Sequence, residues 1–476
     1  MSRIATLVLA ALAAAAPALA QTPDRSKAPV PGPAPALSLP PIVKRTLSNG
    51  LPVWILERHK VPLVHVTLLV KAGAAADPAG KAGLASVTAD LLDEGAGGRS
   101  ALDLADAVAL LGATLGTAAD WDDSTLTLQL PVAQLDAGLG LLSDVALRPA
   151  FDAAEFDRLK KTRLTAVRQR RDDPSTMANL AIYRVLYGLA HPYGTFSTGT
   201  ESSLAGLTLE DVKACYGRIW QPGRSQLIVV GDVTADAVLP LLETRFGGWK
   251  GSAPAAVTPP PAPPAPSPRT IYLVDKPGAA QSQIRIGLVG VARRTPDYFT
   301  LDVVNTILGG SFTSRLNQNL REQHGYAYGA STSFAMRASA GPFVANAGVQ
   351  TDKTTESLKE FFTELEAIRA PIPEAELVRG RNYEALSFPS QFETLRGVAA
   401  QLVELAVYDL PESFVTDYVP KIQAVTTDQA QAAARKYILP DKLAVVVVGD
   451  LAKIEAGIRA ANFAPVQVLK VDDLVK

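Results

Sequence analysis

The segment QLIVVGD at residues 226–232 recurs as LAVVVVGD at residues 443–450, and the two Gly-Asp pairs lie 218 positions apart (449 − 231). The same offset places ILE at residues 55–57 onto LVD at residues 273–275. Runs of β-branched and aliphatic residues bounded by Gly-Asp are typical of buried strands. Because similarity at a fixed offset marks a duplicated unit, the sequence predicts two homologous halves that begin and end with matched strands.

The residues between these strands show both helical and strand patterns. Residues 153–171 and 175–188 have helical periodicity, and Ser100 with Asp103 predicts a capping box at the start of another helix. Residues 124–130, STLTLQL, alternate as a half-buried strand does. We therefore predict an α+β fold in which each half has an antiparallel or mixed sheet covered by helices.

Proline-rich segments divide the chain. Residues 251–268 contain eight prolines, and consecutive prolines favour an extended polyproline II linker because each ring fixes φ and removes a backbone donor. We expect the following organisation: a signal peptide at residues 1–20, a Pro-rich arm at 21–42, a first domain at 43–250, the linker at 251–268 and a second domain at 269–476.

The N-terminal twenty residues have the features of an export signal. Arg3 precedes an apolar run at residues 4–16, and Ala18-Leu19-Ala20 is a small-x-small cleavage site. The run is short for a membrane span, and no cysteine follows the site, so we expect no stable membrane anchor. We predict a periplasmic protein, with full secretion as the alternative. The net charge is −1 and no polybasic block appears, so nothing indicates a surface that binds nucleic acid or an anionic membrane, and we expect no nucleic-acid partner.

The segment GLASVTADL at residues 83–91 resembles the active-site helix of the pitrilysin/insulinase family of zinc metallopeptidases, where the pattern is Gly-Leu-Ala-His-x-x-Glu-His. In that family two histidines at i and i+4 bind one Zn²⁺, and the glutamate activates the metal-bound water. The matching positions here are Ser86, Ala89 and Asp90, and the family's third ligand maps to Ala166. The resemblance therefore implies that this chain has no catalytic residue at these positions and binds no metal itself.

The resemblance extends over nearly all of residues 43–465. NGLPV at residues 49–53, LAHPYG at 189–194 and WQPG at 220–223 are similar to segments of the family's first domain. It implies the family's fold, and it assigns His191 to a structural loop.

A second motif is intact. LGGSFTSRL at residues 308–316 and LREQHGYAY at 320–328 resemble the family's second-half signature, whose Arg and Tyr contact substrate near the zinc. The matching residues are Arg321 and Tyr328. A guanidinium can donate to peptide carbonyls, and a phenolic O–H can donate to an oxyanion. Alternatively, Arg321 is an ordinary surface ion-pair partner and Tyr328 an ordinary strand aromatic.

Together these residues imply a subunit that is inactive alone. The resemblance predicts a homologous partner that carries His-x-x-Glu-His and zinc, while this chain contributes Arg321, Tyr328 and chamber wall to the hydrolysis of small or unfolded peptides. One alternative is a peptide-binding or scaffold protein of the same fold. Another is a hydrolase that uses Ser86 and Asp90 with a distant histidine, although no Gly-x-Ser-x-Gly motif lies near them.

Overall fold

The computed structural model describes residue 32, residues 37–251 and residues 260–475. The signal peptide predicted at residues 1–20 lies outside these residues, as do parts of the arm and of the linker. The linker residues 260–268 contain neither helix nor strand. Across the described ranges, none of the helices combines the length and apolar character needed to cross a bilayer.

Within the described residues, two six-stranded sheets form the centre of the molecule. The first has the order β1-β2-β6-β3-β5-β4 and the second the order β12-β7-β11-β8-β10-β9. The first comprises β1 (Val43–Thr46), β2 (Pro52–Glu57), β3 (Leu63–Val70), β4 (Thr114–Ala119), β5 (Ser124–Pro131) and β6 (Ser225–Gly231). The second comprises β7 (Thr270–Asp275), β8 (Gln281–Val289), β9 (Ala327–Phe334), β10 (Pro342–Gln350), β11 (Ala444–Gly449) and β12 (Val466–Leu469).

The two sheets repeat the same pairing at the offset read from the sequence. Strand β2 runs parallel to β6 with Glu57 opposite Gly231, and β7 runs parallel to β11 with Asp275 opposite Gly449. Strand β3 runs antiparallel to both of its neighbours, β6 and β5, and strand β8 runs antiparallel to both of its neighbours, β11 and β10. Both sheets are therefore mixed. The predicted α+β class and the internal duplication are confirmed.

Helices and short turns cover both sheets. The first half contains α1 (Leu84–Leu91), α2 (Ala101–Leu110), α3 (Leu135–Leu147), α4 (Ala153–Gln169), α5 (Pro174–Tyr187), α6 (Glu201–Ala205), α7 (Leu209–Ile219) and α8 (Ala235–Phe246). The second contains α9 (Tyr298–Asn305), α10 (Arg315–Asn317), α11 (Thr354–Ala367), α12 (Glu374–Ser387), α13 (Leu395–Val407), α14 (Ser413–Gln423), α15 (Thr427–Tyr437), α16 (Leu451–Ala461) and α17 (Val471–Val475). Two π-helical turns, Thr306–Gly310 and Gln318–Gln323, flank α10.

The halves exchange one helix each. Helix α5 belongs to the first half, yet its apolar face packs on β8 and β11 of the second sheet. Helix α13 belongs to the second half and packs on β3 and β6 of the first sheet. Each sheet therefore needs a helix from the other half to bury its apolar surface, and residues 37–251 and 260–475 belong to one compact unit.

A loop of the second half is also held by the first half. The Arg337 guanidinium lies over the rings of Trp121 and Tyr193, 4.4 and 4.3 Å from their centroids. Asp122 accepts hydrogen bonds from the Ala338 amide at 2.8 Å and from the Tyr408 hydroxyl at 3.1 Å. These polar and aromatic contacts join the two halves in addition to the exchanged helices.

Candidate functional site

Helix α1 carries the segment that resembles a zinc-binding helix, and an aspartate outside the helix determines where it starts. The Asp77 carboxylate accepts hydrogen bonds from the backbone N–H groups of Gly83, Leu84 and Ala85, at 2.9, 3.1 and 2.9 Å. Gly83 has φ of 91°, a conformation that favours glycine. The otherwise unpaired amides of the first turn are thereby satisfied, and α1 is held against the rest of the first half.

The positions that would carry zinc chemistry contain a buried small side chain, a methyl group and a salt bridge. Ser86 and Ala89 are buried. The Asp90 carboxylate accepts hydrogen bonds from the Arg163 guanidinium on α4, with Nε 3.1 Å from Oδ2 and an Nη atom on the same oxygen. Both side chains are largely shielded, at 18% exposure for Arg163 and 32% for Asp90. Asp90 is the only ionisable residue among these positions, and the Arg163 guanidinium provides the positive charge that pairs with it.

Two further carboxylates, those of Asp93 and Glu94, lie just after α1, and the second of them is paired with an arginine. Glu94 accepts from Arg158, which also binds Glu155 at 2.6 Å. Burial raises the pKa of Asp93 to about 6, with further contributions from the charges of Glu94 and Asp90. No imidazole joins this group, and within the described ranges no cluster of three or more His, Cys, Asp or Glu side chains is arranged to hold a metal ion.

Ala166, the position matched to the family's third ligand, is exposed on α4, whereas the adjacent Val167 is buried. An alanine provides no donor atom for a metal. Ser86, Ala89, Asp90 and Ala166 therefore do not fit a catalytic zinc ion, because their only ligating oxygens are a hydroxyl and a carboxylate already bound to arginine.

All four histidines make contacts away from Ser86. His59 lies 2.7 Å from the Asp232 carboxylate, and His65 lies 3.2 Å from the Thr67 hydroxyl. His324 stacks on the ring of Tyr326. No histidine hydrogen-bonds to Ser86 in the described structure, so the alternative of a serine hydrolase lacks its general base.

His191 has the structural role that the sequence predicts. Its Nδ1 accepts a hydrogen bond from the Tyr193 amide at 3.0 Å. Its Nε2 lies 3.0 Å from the Pro261 carbonyl oxygen, and because a carbonyl can only accept, Nε2–H is the donor. Burial lowers the pKa of His191, in agreement with a neutral ring. This histidine fastens the linker to the loop of the first half.

The second motif forms an exposed stack of an arginine between two aromatic rings. The guanidinium carbon of Arg321 lies 4.8 Å from the Tyr328 ring centroid and 4.6 Å from that of Phe312. Tyr328 is 85% exposed and Phe312 58% exposed. The Arg321 Nε lies 3.2 Å from a Glu322 carboxylate oxygen. The two predicted residues are brought together, and Phe312 and Glu322 join them.

Asn317 holds the stack in place. Its Nδ2 donates to the Ser311 carbonyl at 3.1 Å, and its Oδ1 accepts from the Ala330 amide of β9 at 3.0 Å. Gly309 allows the close approach, because a Cβ at this position would lie 2.4 Å from the Thr332 backbone nitrogen. The Gly-rich turn is thus tied to the edge strand β9, which presents Tyr328.

The structure leaves the two groups separate. No hydrogen bond, ion pair or ring contact between described residues joins the Asp90–Arg163 pair to the Arg321–Tyr328 stack. Sequence reasoning did not assign roles to Arg163, Asp77 or Phe312. The only available signal for Arg163 was a basic residue on the helix that faces α1.

Comparisons with known proteins agree with this architecture. Residues 53–191 match the family profile described as "Insulinase (Peptidase family M16)", and residues 206–383 match the profile described as "Peptidase M16 inactive domain". The chain is 25% identical to the crystal structure of a peptidase M16 inactive domain from Pseudomonas fluorescens, with a TM-score of 0.80. The match covers 86% of this chain and 98% of that one.

Curated relatives include proteins with and without an assigned protease name. An uncharacterized zinc protease of Mycobacterium leprae is 28% identical over 296 residues, which is 60% of this chain and 64%, just under two thirds, of that relative. A non-peptidase homolog of Helicobacter pylori is 23% identical over 282 residues, which is 58% of this chain and 63% of that relative.

Proposed function

The chain belongs to the insulinase family of peptidases (peptidase family M16) and lacks that family's catalytic motif, and we propose that it is the non-catalytic subunit of a heterodimeric zinc metallopeptidase. The partner subunit would carry His-x-x-Glu-His and the zinc ion. This chain would bind no metal and would contribute Arg321, Tyr328 and chamber wall. The substrates would be small or unfolded peptides.

One combination of observations carries the proposal. In the first half an Asp90–Arg163 salt bridge lies where the family has metal-binding chemistry. In the second half Arg321 and Tyr328 lie together on an exposed surface of the sheet edge. A subunit that retains only substrate-contacting groups needs a second chain for hydrolysis.

The geometry of the stack suits contact with a peptide. Because Nε of Arg321 faces Glu322, its two Nη groups are left to donate to peptide carbonyls. The rings of Phe312 and Tyr328 keep the guanidinium in one orientation, which lowers the entropy lost on binding. The Tyr328 hydroxyl is exposed and can donate to an oxyanion that forms in the partner's active site.

The test is reconstitution. The chain is purified alone and together with a co-expressed homologue that carries His-x-x-Glu-His, and cleavage of a quenched fluorescent peptide is measured with and without a chelator. We expect chelator-sensitive cleavage that is much faster in the mixture than with either chain alone. Cleavage by this chain alone, or a mixture no faster than the homologue alone, would refute the proposal.

Variants of the stack assign the roles within an active mixture. Tyr328→Phe should lower kcat on the order of tenfold or more, because one oxyanion donor is lost. Arg321→Ala should mainly raise KM. Tyr383→Phe and Arg45→Ala are matched controls, because both residues are exposed and lie outside the stack. Equal effects of stack and control variants would show that Arg321 and Tyr328 do not contact substrate.

A peptide-binding or scaffold protein without proteolytic role is the second candidate. The exposure of Tyr328 and Phe312 favours it, since such a surface binds a peptide or a partner whether or not cleavage follows. It predicts that the mixture binds labelled peptide, that Arg321→Ala weakens the binding, and that the cleavage rate does not depend on this chain.

We also propose that the chain acts in the periplasm after removal of residues 1–20. The support is the sequence of this segment alone. N-terminal sequencing of the fractionated protein should give a start at Gln21. An intact Met1, or recovery from the culture medium, would contradict this proposal.

A further inference from the structure

A cleft of about 530 Å³ lies in the first half, apart from both the Asp90–Arg163 pair and the Arg321 stack. Its walls are residues 74–80, residues 82–83 just before α1, residues 189–192 and 195–197, the end of α7, Arg224 just before β6, Trp121, and the linker at Pro260 and Pro261. This volume is within the range of sites that bind small organic molecules.

Two arginines give the cleft an excess of positive charge. Arg218 and Arg224 both line it, and neither has an ion-pair partner among the described residues. Arg218 donates to the Ala76 carbonyl at 3.1 Å, and Arg224 has a buried Nε without a hydrogen-bond partner. Burial, and then the charge of Arg218, lowers the pKa of Arg224. The cleft thus contains two guanidinium groups and one carboxylate, that of Asp77, and the resulting excess of positive charge favours an anionic ligand.

The aspartate in the cleft wall, Asp77, offsets only part of this positive charge. Burial raises the pKa of Asp77 to about 7, although the three backbone N–H groups and the charge of Arg218 lower it. The Asp77 carboxylate uses both oxygens to accept the three N–H groups at the start of α1. Among the described residues, the Asp77 oxygens form no salt bridge with Arg218 or Arg224. The same contacts occupy the helix N-terminus, so the anion would be held by side chains.

A second, independent observation points to a ligand in the cleft. The Thr195 hydroxyl is buried, its residue is 9% exposed, and it has no hydrogen-bond partner among the described atoms. Buried hydroxyls without a partner are rare because their desolvation is uncompensated. Trp121, Phe196 and Pro261 add apolar surface to the walls of the same cleft.

We propose that this cleft binds the free C-terminal carboxylate of a short peptide, with Arg218 and Arg224 holding the carboxylate and Thr195 donating a hydrogen bond. The walls formed by Trp121 and Pro261 contact the last side chain. A carboxylate suits the site better than a phosphate, because phosphate sites commonly add several backbone N–H donors, and Asp77 has taken those of α1.

The test uses the full chain alone and measures binding by calorimetry. The probes are the tripeptide Ala-Ala-Ala with a free C-terminus, its C-terminal amide, and inorganic phosphate. We expect the free acid to bind at least about tenfold more tightly than the amide and more tightly than phosphate, since a charge-assisted hydrogen bond is lost in the amide. Equal binding of acid and amide, tighter binding of phosphate, or no binding would overturn the proposal.

Variants locate the site. Arg224→Gln and Arg218→Gln should each weaken binding of the free acid about tenfold or more, and Thr195→Val should weaken it less. Arg45→Gln is the control, since Arg45 is exposed and bonds only to the Lys44 carbonyl among described residues. Thermal unfolding checks that each variant is folded. Unchanged binding in both folded arginine variants would overturn the assignment, and the result does not depend on a partner subunit.

Discussion

The two halves of the molecule share a backbone and differ in their chemistry. The Arg58 amide donates to the Gly231 carbonyl at 2.8 Å, and 218 positions later the Lys276 amide donates to the Gly449 carbonyl at 2.8 Å. Yet in the first half Arg163 forms a largely shielded salt bridge with Asp90, while in the second half Arg321 lies against two exposed rings. The strands that form the core have kept their register, and the side chains above them have diverged, because packing restricts the former far more than the latter.

The strongest test of this equivalence compares the two glycines that end β6 and β11. Gly231 has φ of 149°, and a Cβ there would lie 2.3 Å from the Leu63 carbonyl oxygen, which cannot move without displacing β3. At Gly449 the nearest atom is the Ser282 hydroxyl oxygen, 2.7 Å away, which can rotate. We expect Gly231→Ala to lower the free energy of unfolding by about 3–5 kcal/mol and Gly449→Ala by about 1–2 kcal/mol.

Urea unfolding of both variants measures the difference. Equal losses would show that the two strand ends are more alike than their contacts indicate. A larger loss for Gly449→Ala would mean that the hydrogen bond of 2.7 Å between Ser282 and Thr354 matters more than the backbone clash.

The salt bridge of the first half should have a structural role. Arg163→Ala leaves the Asp90 carboxylate partly buried without its partner, and we expect the free energy of unfolding to fall by about 1–3 kcal/mol. Arg168 on the same helix is the control, because it is 63% exposed and its pairing with Glu201 is screened by water. A loss no larger than that of Arg168→Ala would assign Arg163 to another function.

The sequence predicted the matched strands of the two halves, and it missed both their parallel pairing and the exchange of helices. The offset that matches Glu57 to Asp275 relates the parallel pair of the first sheet to that of the second, but an offset does not tell which strands pair within a half. The Pro-rich linker suggested two halves that each cover their own sheet. Periodicity identified α5 as a helix, yet periodicity gives the apolar face of a helix without naming the sheet that the face meets.

The sequence also predicted one part of the candidate site and missed another. The absence of zinc ligands at Ser86, Ala89 and Asp90 could be predicted, because it depends only on which residue types occupy these positions. The Asp90–Arg163 pair joins two helices that are distant along the chain, and the contact of Phe312 with Arg321 depends on a turn tied by Asn317 to β9. Contacts of this kind follow from tertiary structure and have no local pattern.

Both halves contain carboxyl groups whose pKa is raised by burial, Asp93 in the first half and Asp302 in the second, and both should make stability depend on pH. In the second half Asp302 is half-buried near Glu384, and the Tyr418 hydroxyl hydrogen-bonds to both carboxyl groups. Burial, and next the charge of Glu384, raises the pKa of Asp302. The folded chain therefore holds this proton more tightly than the unfolded chain does. The resulting stability is complete below about pH 4 and is lost as pH rises through the raised pKa.

We expect Asp302→Asn to flatten this part of the pH profile, by about 1.4 kcal/mol for each unit by which the pKa is raised. The amide oxygen can still accept from Tyr418, so the hydrogen bond survives. Urea unfolding between pH 4 and pH 8 gives the profile. An unchanged slope in the variant would show that Asp302 titrates in the folded chain as it does in the unfolded one.

The smallest effect on stability should come from the arginine of the second half. Arg321→Ala removes two contacts with exposed rings and a solvent-accessible pair with Glu322, so we expect the free energy of unfolding to fall by about 0.5–1 kcal/mol at most. Measured under the same conditions as Arg163→Ala, this value sharpens the contrast between a structural and a presented arginine. A loss as large as that of Arg163→Ala would remove the contrast, because Arg321 would then be needed to hold the Gly-rich turn against β9 and its effect on peptide cleavage would follow from misfolding of the turn.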